Sequence, residues 1–176
     1  WVRGKNVAES DPVKLRRSIG YVIQDGGLFP HRNVLENIAT VPLLEGVSRA
    51  KARRRALELL ELVGLESDYA SRFPAQLSGG QRQRVGVARA LANKTDILLM
   101  DEPFGALDPI VRTQLQEQVA WLRDQVGTTI LLVTHDVDEA FKLGDQIVVL
   151  ETGAKIAQAG DARTLLNHSA NQFVSD

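Results

Sequence analysis

Two adjacent carboxylates, Asp101 and Glu102, directly follow a short aliphatic run at residues 97–100. Such a run is typical of a buried strand in a parallel sheet. At the end of this strand, a carboxylate oxygen of Asp101 can hold Mg²⁺ beside nucleotide phosphates, and the Glu102 carboxylate can polarise an attacking water. An isolated acidic pair after a strand is more often a cap or a solvent-exposed group, so other polar residues must support this interpretation.

Polar residues also follow two other predicted strands. Gln24 ends the apolar segment at 19–23, and His135 comes directly after the strand at 129–134. Because ligands bind outside the carboxyl ends of the strands in an open parallel sheet, we expect both side chains to lie near the carboxylate pair. The amide oxygen of Gln24 can bind the metal or the attacking water, and the imidazole of His135 can contact a terminal phosphate. Each residue alone also fits a turn or a packing role, but their coincidence in three strands predicts a phosphate site.

A third segment, formed by Ser78, Gly79, Gly80 and Gln81, opens a predicted helix. The two glycines leave backbone N–H groups open to an anion, the helix dipole favours negative charge there, and Ser78 adds a hydroxyl donor. A lone Ser-Gly-Gly would indicate an ordinary capped helix, whereas Leu-Ser-Gly-Gly-Gln followed by Arg-Gln-Arg is far more specific. The 176 residues contain no G-x-x-x-x-G-K-[ST] sequence, the loop that normally holds the phosphates in such sites.

Composition argues against several other functions. The 21 basic and 22 acidic residues give a net charge of −1, so there is no electrostatic reason to expect a nucleic-acid partner. Cysteine is absent, which excludes a thiolate metal site, and the three histidines lack metal-ligand spacing. The longest aliphatic runs fall far short of the roughly 20 residues of a membrane-spanning helix. We therefore expect a soluble chain that reaches a membrane only through a partner.

The order of the predicted elements indicates an α/β fold. A helical pattern at about 34–94 lies between strands and predicts an inserted α-helical subdomain, while the catalytic core takes about 1–33 and 95–176. Within the subdomain, Ser48 is the expected N-cap of a helix that ends at Gly64. Beyond Thr95, aliphatic strands alternate with helices, which indicates a mostly parallel sheet covered on both faces. Acidic caps are expected at three later helices, at Asp108, Asp136 and Asp161, and a hairpin turn at 151–154.

Taken together, these segments resemble the ATP-binding subunit of an ATP-binding cassette (ABC) transporter, with the motifs in family order. Gln24 matches the Q-loop glutamine, Asp108 the D-loop aspartate and His135 the switch histidine. The segment at 77–81 matches the family signature, and 97–102 matches Walker B. The resemblance implies a P-loop NTPase-like (RecA-like) fold with a mostly parallel sheet and an inserted helical subdomain. It also implies ATP and Mg²⁺ as cofactors.

The resemblance assigns a role to each of these residues. It makes Glu102 the catalytic base, with Gln24 and His135 as further catalytic residues. Asp101 and Gln24 are assigned to the metal. Nucleotide binding is assigned to Ser78, Gly79, Gly80, Gln81 and Asp108. In the family, ATP lies between two subunits packed head to tail, so the signature segment serves the site of the opposite subunit.

Four segments narrow the resemblance to bacterial importers of osmoprotectants such as glycine betaine, choline and carnitine: 19–24, 27–31, 101–109 and 138–145. Related amino-acid, sulfate and polyamine importers share much of the same sequence. The implied partners are a second copy or another ATP-binding subunit, transmembrane permease subunits and, indirectly, a substrate-binding protein, with no nucleic acid. The implied location is cytoplasmic, at the inner face of the plasma membrane through the permease.

The family places its phosphate loop ahead of the region that matches Trp1, so we expect a fold truncated at the N-terminus, with an exposed sheet edge or core face. Since that loop and its lysine hold the β and γ phosphates, we expect this chain alone neither to bind ATP tightly nor to hydrolyse it. Two alternatives stay open. One is an ABC ATPase outside transport, which salt-dependent nucleic-acid binding would indicate. The other is a truncated, non-catalytic module that docks on a permease, which permease binding without ATP binding would indicate.

Overall fold

The computed structural model describes residues 1–24, 26–93, 95–105 and 107–167, in two compact units. The first unit is Trp1–Val133, and the second begins at Thr134. The helices and strands of the first unit are α1 (Pro12–Arg17), β1 (Ile19–Val22), α2 (Val34–Ile38), α3 (Thr40–Leu44), α4 (Arg49–Leu62), α5 (Gly79–Ala90), β2 (Ile97–Asp101), α6 (Pro109–Val126) and β3 (Thr129–Val133). Short 3₁₀ helices lie at Val7–Glu9, Ser67–Ser71 and Pro74–Gln76.

The three strands of the first unit form a parallel sheet in the order β1-β2-β3. Tyr21 lies opposite Leu99, which lies opposite Leu131 in the next strand. Helices α2 to α5 all fall between β1 and β2 in the chain. The predicted α/β fold with a parallel sheet is therefore confirmed, and the carboxyl ends of β1 and β2 lie at one edge. The subdomain boundaries near residues 34 and 94 stay a prediction.

The two faces of this sheet differ in burial. On one face Val22, Leu98 and Met100 are buried. On the other face Tyr21 and Leu131 are 51% and 60% exposed. A parallel sheet normally has both faces covered, and here the face with Tyr21 and Leu131 is exposed. Its expected cause, a truncated fold, stays a prediction.

This difference in burial predicts that the same leucine-to-alanine substitution lowers the free energy of unfolding by different amounts in neighbouring strands. Leu98→Ala removes a fully buried side chain, so we expect the free energy of unfolding to fall by about 2–5 kcal/mol. Leu131→Ala truncates a side chain that is 60% exposed, and we expect a loss below about 1 kcal/mol. Urea denaturation of both variants measures the two costs. Equal losses would show that the Leu131 face is covered in solution.

Helix α4 shows one predicted cap that forms and one that does not. Gly64 has a φ of 69° and donates its N–H to Glu61 O at 2.9 Å, while Leu65 N donates to Leu60 O at 3.0 Å. These two bonds form the predicted left-handed C-terminal cap, which only a residue tolerant of positive φ can make easily. Ser48 occupies the N-cap position, but its side chain makes no capping hydrogen bond.

The second unit contains α7 (Val137–Leu143), an antiparallel pair of β4 (Ile147–Glu151) and β5 (Lys155–Gly160), and α8 (Ala162–Asn167). The predicted hairpin and the caps at Asp136 and Asp161 are confirmed, since Asp136 Oδ1 accepts from Glu139 N at 3.2 Å and Asp161 Oδ1 accepts from Thr164 N at 2.7 Å. Hydrogen bonds from Thr164 lower the pKa of the Asp161 carboxyl. Across the described residues, no helix combines the length and apolar character needed to cross a bilayer.

Candidate functional site

The backbone bends sharply at Glu102, directly after β2. Its φ of 44° lies in the left-handed region, which a residue with a side chain rarely adopts. The Glu102 N–H donates to Val133 O at 2.9 Å, so the last residue of β3 holds this turn. Unusual backbone of this kind often occurs at functional sites, where surrounding contacts maintain it. The turn presents Glu102 and the exposed Asp101 side by side at the carboxyl edge of the sheet.

Gln24 lies two residues beyond β1 and reaches the same edge. Its Nε2 donates to Glu102 Oε2 at 3.1 Å, although the two residues are 78 positions apart in the chain. The structure thus brings together the ends of β1 and β2, as their strand positions predict. Because the amide nitrogen donates to the carboxylate, the amide oxygen of Gln24 is left for a cation or a water molecule.

The carboxylate of Asp101 suits a metal ion. It is exposed, and within the described part of the chain it makes no hydrogen bond or ion pair. No group of three or more His, Cys, Asp or Glu residues that could hold a metal occurs among the described residues. Mg²⁺ does not require such a group, because it is commonly bound by one or two protein oxygens together with phosphate oxygens and waters. Asp101 and the amide oxygen of Gln24 therefore fit Mg²⁺ in the presence of a nucleotide.

The segment Ser78–Gln81 begins α5 with a reciprocal cap. Ser78 Oγ accepts from Gln81 N at 3.2 Å, and Gln81 Oε1 accepts from Ser78 N at 2.9 Å. Gln81 Nε2 also donates to Tyr69 Oη at 3.1 Å. The cap uses one lone pair of the Ser78 hydroxyl and leaves its proton available to donate. Gly79 is exposed, so the start of the helix is open to solvent. The predicted contact of these residues with a nucleotide stays a prediction.

Asp108 is placed close to this helix start by its neighbour in the chain. A Cβ on Gly80 would lie 3.1 Å from Leu107 Cδ2, so Gly80 and Leu107 are packed together. Asp108 itself caps α6, with Oδ1 accepting from Val111 N at 3.0 Å. The structure therefore shows a capping role for Asp108, and its predicted role in nucleotide binding stays a prediction.

His135 belongs to the second unit, where it is exposed just before α7. The residues on either side of it are tightly bonded. Thr134 Oγ1 donates to Glu139 Oε2 at 2.7 Å and accepts from Asp136 N at 3.0 Å. These bonds fix the backbone that carries the imidazole. The contact of His135 with a terminal phosphate stays a prediction.

Sequence reasoning missed the residues that hold the loop after β1. Arg89, which lies near the end of α5, donates from Nη1 to Gly27 O at 2.6 Å and from Nη2 to Gly26 O at 2.8 Å. Burial lowers the pKa of Arg89. A usable signal existed in the sequence, because Arg82, Gly86 and Arg89 share one face of a helix at four- and three-residue spacing. Nothing in that spacing identifies the segment that meets this face.

A buried asparagine holds the next part of the same loop. Asn37 Oδ1 accepts from Phe29 N at 2.7 Å, and its Nδ2 donates to the carbonyls of Phe29, Arg32 and Asn33 at 3.0–3.2 Å. Both polar atoms of the amide are therefore bonded, which is what a fully buried asparagine requires. The loop from Gln24 to Asn33 is thus held at two separate points.

A parallel sheet with polar groups at its carboxyl edge, and with helices inserted between its first two strands, is consistent with the P-loop NTPase fold. The ATP-binding cassette MJ0796, solved as a dimeric post-hydrolysis state bound to ADP and Pi, matches the fold with a TM-score of 0.83. That match is 33% identical and covers 92% of this chain and 72% of that one. Residues 1–105 match the ABC transporter family. The chain belongs to that family.

Two relatives match nearly the whole chain. It is 51% identical over 176 residues to the glycine betaine/carnitine/choline transport ATP-binding protein OpuCA of Bacillus subtilis, covering 100% of this chain and 46% of that protein. It is 51% identical over 171 residues to the glycine betaine uptake system ATP-binding protein YehX of Escherichia coli, covering 97% of this chain and 55% of that protein. The chain spans about half the length of these relatives.

Proposed function

We propose that this chain forms part of the ATP-hydrolysing subunit of an importer for quaternary-amine osmoprotectants. The observation that carries the ATPase assignment is the hydrogen bond between Gln24 and Glu102, beside Asp101, at the carboxyl edge of the sheet. The substrate class is supported by the relatives OpuCA and YehX, whose names specify glycine betaine. Selectivity for the transported molecule would belong to other subunits.

Each residue at the sheet edge has a distinct task in this proposal. Asp101 and the amide oxygen of Gln24 would hold Mg²⁺, which when bound neutralises charge on the phosphates. Glu102 accepts the proton of the water that attacks the terminal phosphorus. The amide of Gln24 donates to Glu102 and so orients its carboxylate towards that water. Burial of one face of the sheet, at Val22, Leu98 and Met100, supports the backbone that carries the carboxylates.

The remaining motif residues are assigned by their place in the family pattern. We assign His135 to the terminal phosphate and Asp108 to the nucleotide contact between subunits. Ser78, Gly79, Gly80 and Gln81 would close on ATP held by a second ATP-binding subunit. The dimeric state of the related cassette MJ0796 supports the pairing of two ATP-binding subunits. Permease subunits would then hold the dimer at the cytoplasmic face of the membrane, and a substrate-binding protein would act through them.

The 176 residues lack the phosphate-loop sequence, so we propose that they do not turn over ATP alone. A chimera tests this directly. It joins a strand, phosphate loop and helix from an ABC ATPase ahead of Trp1, and its remaining residues keep their numbers. This phosphate-loop chimera provides the donors that hold the β and γ phosphates.

We expect ATP hydrolysis in the phosphate-loop chimera and none above background in residues 1–176. Phosphate release, measured with and without Mg²⁺, checks both statements. Turnover by residues 1–176 that is lost in Glu102→Gln would contradict the need for a separate phosphate loop. A folded chimera that binds ATP without hydrolysing it would contradict the ATPase assignment.

A further inference from the structure

The loop that follows β1 lies directly against α5. A Cβ on Gly86 would lie 2.9 Å from Gly26 Cα, and a Cβ on Gly26 would lie 2.6 Å from Arg82 O. Real Cβ atoms do not approach backbone this closely, so both positions require glycine. Gly26 also has a φ of 72°, which independently favours glycine. The contact between the loop and the helix is therefore backbone against backbone.

Arg89 reinforces this contact with two hydrogen bonds from its guanidinium group. Its Nη1 donates to Gly27 O at 2.6 Å and its Nη2 donates to Gly26 O at 2.8 Å. The planar guanidinium can span two adjacent carbonyls, whereas a single ammonium group cannot match both in the same way. A weaker contact from the same helix, from Gln83 Nε2 to Ile23 O at 3.4 Å, holds the loop at its other end.

The loop held by Arg89 carries the glutamine of the candidate site. Gln24 lies between Ile23 and Gly26, and its Nε2 donates to Glu102 Oε2 at 3.1 Å. Gln24 is exposed, and this hydrogen bond joins it to the carboxyl edge of the sheet. The position of its amide therefore depends on the backbone of the loop, which Arg89 fixes.

We propose that Arg89 is a positioning residue, which holds Gln24 against Glu102 through the carbonyls of Gly26 and Gly27. The same helix begins at Gly79, and Arg89 lies about 15 Å further along it at the usual helical rise. A displacement of α5 therefore reaches Gln24 through the guanidinium. The effect of this contact on catalysis rests on the proposed function, whereas the hydrogen bonds from Arg89 to the loop do not.

The test uses isotope-labelled residues 1–176 without nucleotide, and compares Arg89→Met with a matched control, Arg84→Met. Arg84 lies on the same helix and also donates to a backbone carbonyl, Gly64 O at 3.1 Å, but in a different loop. One readout is hydrogen exchange of the Gly26 amide, which donates to Ile23 O at 2.9 Å. The other is the NMR signal of the Gln24 side-chain amide, which should shift when Glu102→Ala removes the acceptor of its hydrogen bond.

In Arg89→Met, we expect the Gly26 amide to exchange at least about tenfold faster, because two charge-assisted hydrogen bonds are lost. We also expect that adding Glu102→Ala to Arg89→Met no longer shifts the Gln24 signal, whereas a purely structural role for Arg89 would leave that shift in place. In Arg84→Met both readouts should match the wild type. The Phe29 amide, which Asn37 Oδ1 holds at 2.7 Å, should change less than about twofold in either variant.

Several outcomes would overturn the proposal. Unchanged Gly26 exchange in Arg89→Met is one, and a Gln24 signal that Glu102→Ala still shifts despite faster Gly26 exchange is another. A wild-type Gln24 signal that Glu102→Ala does not shift would remove the contact with Glu102 altogether. If Arg89→Met does not fold, the exchange of the Gly26 amide in Arg89→Lys tests the proposal instead. We expect this variant to give intermediate Gly26 exchange, and exchange equal to wild type would show that the pair of hydrogen bonds is not needed.

These measurements separate the positioning role from the proposed function. Both readouts come from the chain without nucleotide, so they do not depend on ATP hydrolysis. Failure of the phosphate-loop chimera to hydrolyse ATP would remove the catalytic assignment and leave the Arg89 result standing. Failure of the Arg89 test alone would leave the ATPase assignment intact.

Discussion

Glu102→Gln in the phosphate-loop chimera is expected to lower kcat for ATP hydrolysis by about 10²- to 10⁴-fold. The reason is that, in the proposed mechanism, the carboxylate of Glu102 accepts a proton from the attacking water, which a neutral amide cannot do. Glutamine keeps an oxygen that can accept the hydrogen bond from Gln24 Nε2, now 3.1 Å from Glu102 Oε2. The substitution therefore removes the base and preserves the contact. Steady-state phosphate release measures kcat, and fluorescent-nucleotide titration should show that ATP still binds.

A matched control for this substitution is Glu61→Gln. Glu61 is an exposed glutamate on α4 in the same unit, and we expect its replacement to change kcat by less than about twofold. A Glu102→Gln chimera that retained kcat within about threefold of the wild type would show that Glu102 is not the base. The hydrogen bond of Glu102 with Gln24 would then be a structural contact and not part of a proton transfer.

Asp101→Asn is the second substitution with a large expected effect. We expect the Mg²⁺ concentration for half-maximal ATP hydrolysis in the phosphate-loop chimera to rise at least about tenfold. Asparagine keeps the size of the side chain but removes the charge that favours a hard cation. The wild-type carboxylate has no hydrogen bond or ion pair among the described residues, so its loss should leave the fold intact. Magnesium titration of ATP hydrolysis, with circular dichroism for the fold, checks both parts.

Asp124→Asn provides the comparison for this charge change. Asp124 is exposed near the end of α6 and pairs with Arg123 at 2.8 Å, far along the chain from the acidic pair. Its replacement removes the same charge and should leave the magnesium requirement within about twofold of wild type. An equal rise in both variants would indicate a general effect of net charge. No rise in Asp101→Asn would exclude Asp101 as a metal ligand.

The sequence predicts the parallel sheet and the polar residues at its carboxyl edge, because both depend on short runs of adjacent residues. Continuous aliphatic runs have few alternatives to buried parallel strands, and polar residues that end such runs must gather at the carboxyl edge. This rule places Gln24 and Glu102 at one edge, and the pairing of β1 with β2 brings their side chains into contact. The caps at Gly64, Asp108 and Asp136 could also be predicted from the sequence, because each depends on a few adjacent residues.

Other features depend on packing between distant segments. The spacing of Arg82, Gly86 and Arg89 shows that they share a helix face, but only the fold shows that Gly26 meets it. The turn at Glu102 is likewise held by Val133, from a strand that comes later in the chain. Ser48 has a favourable residue type for an N-cap and still makes no capping bond. Local propensity therefore located the elements, and long-range contacts decided which of their side chains work together.

The most direct test of the account is paramagnetic broadening by Mn²⁺, used in place of Mg²⁺, in the phosphate-loop chimera with bound ATP. We expect Mn²⁺ to broaden the side-chain amide signal of Gln24 strongly and that of the buried Asn37 much less. Asp101→Asn should weaken this broadening at equal metal concentration. Strong broadening of Gln24 would place the metal where the ends of β1 and β2 meet. Bound ATP and Mn²⁺ that left Gln24 unaffected would contradict the proposed site.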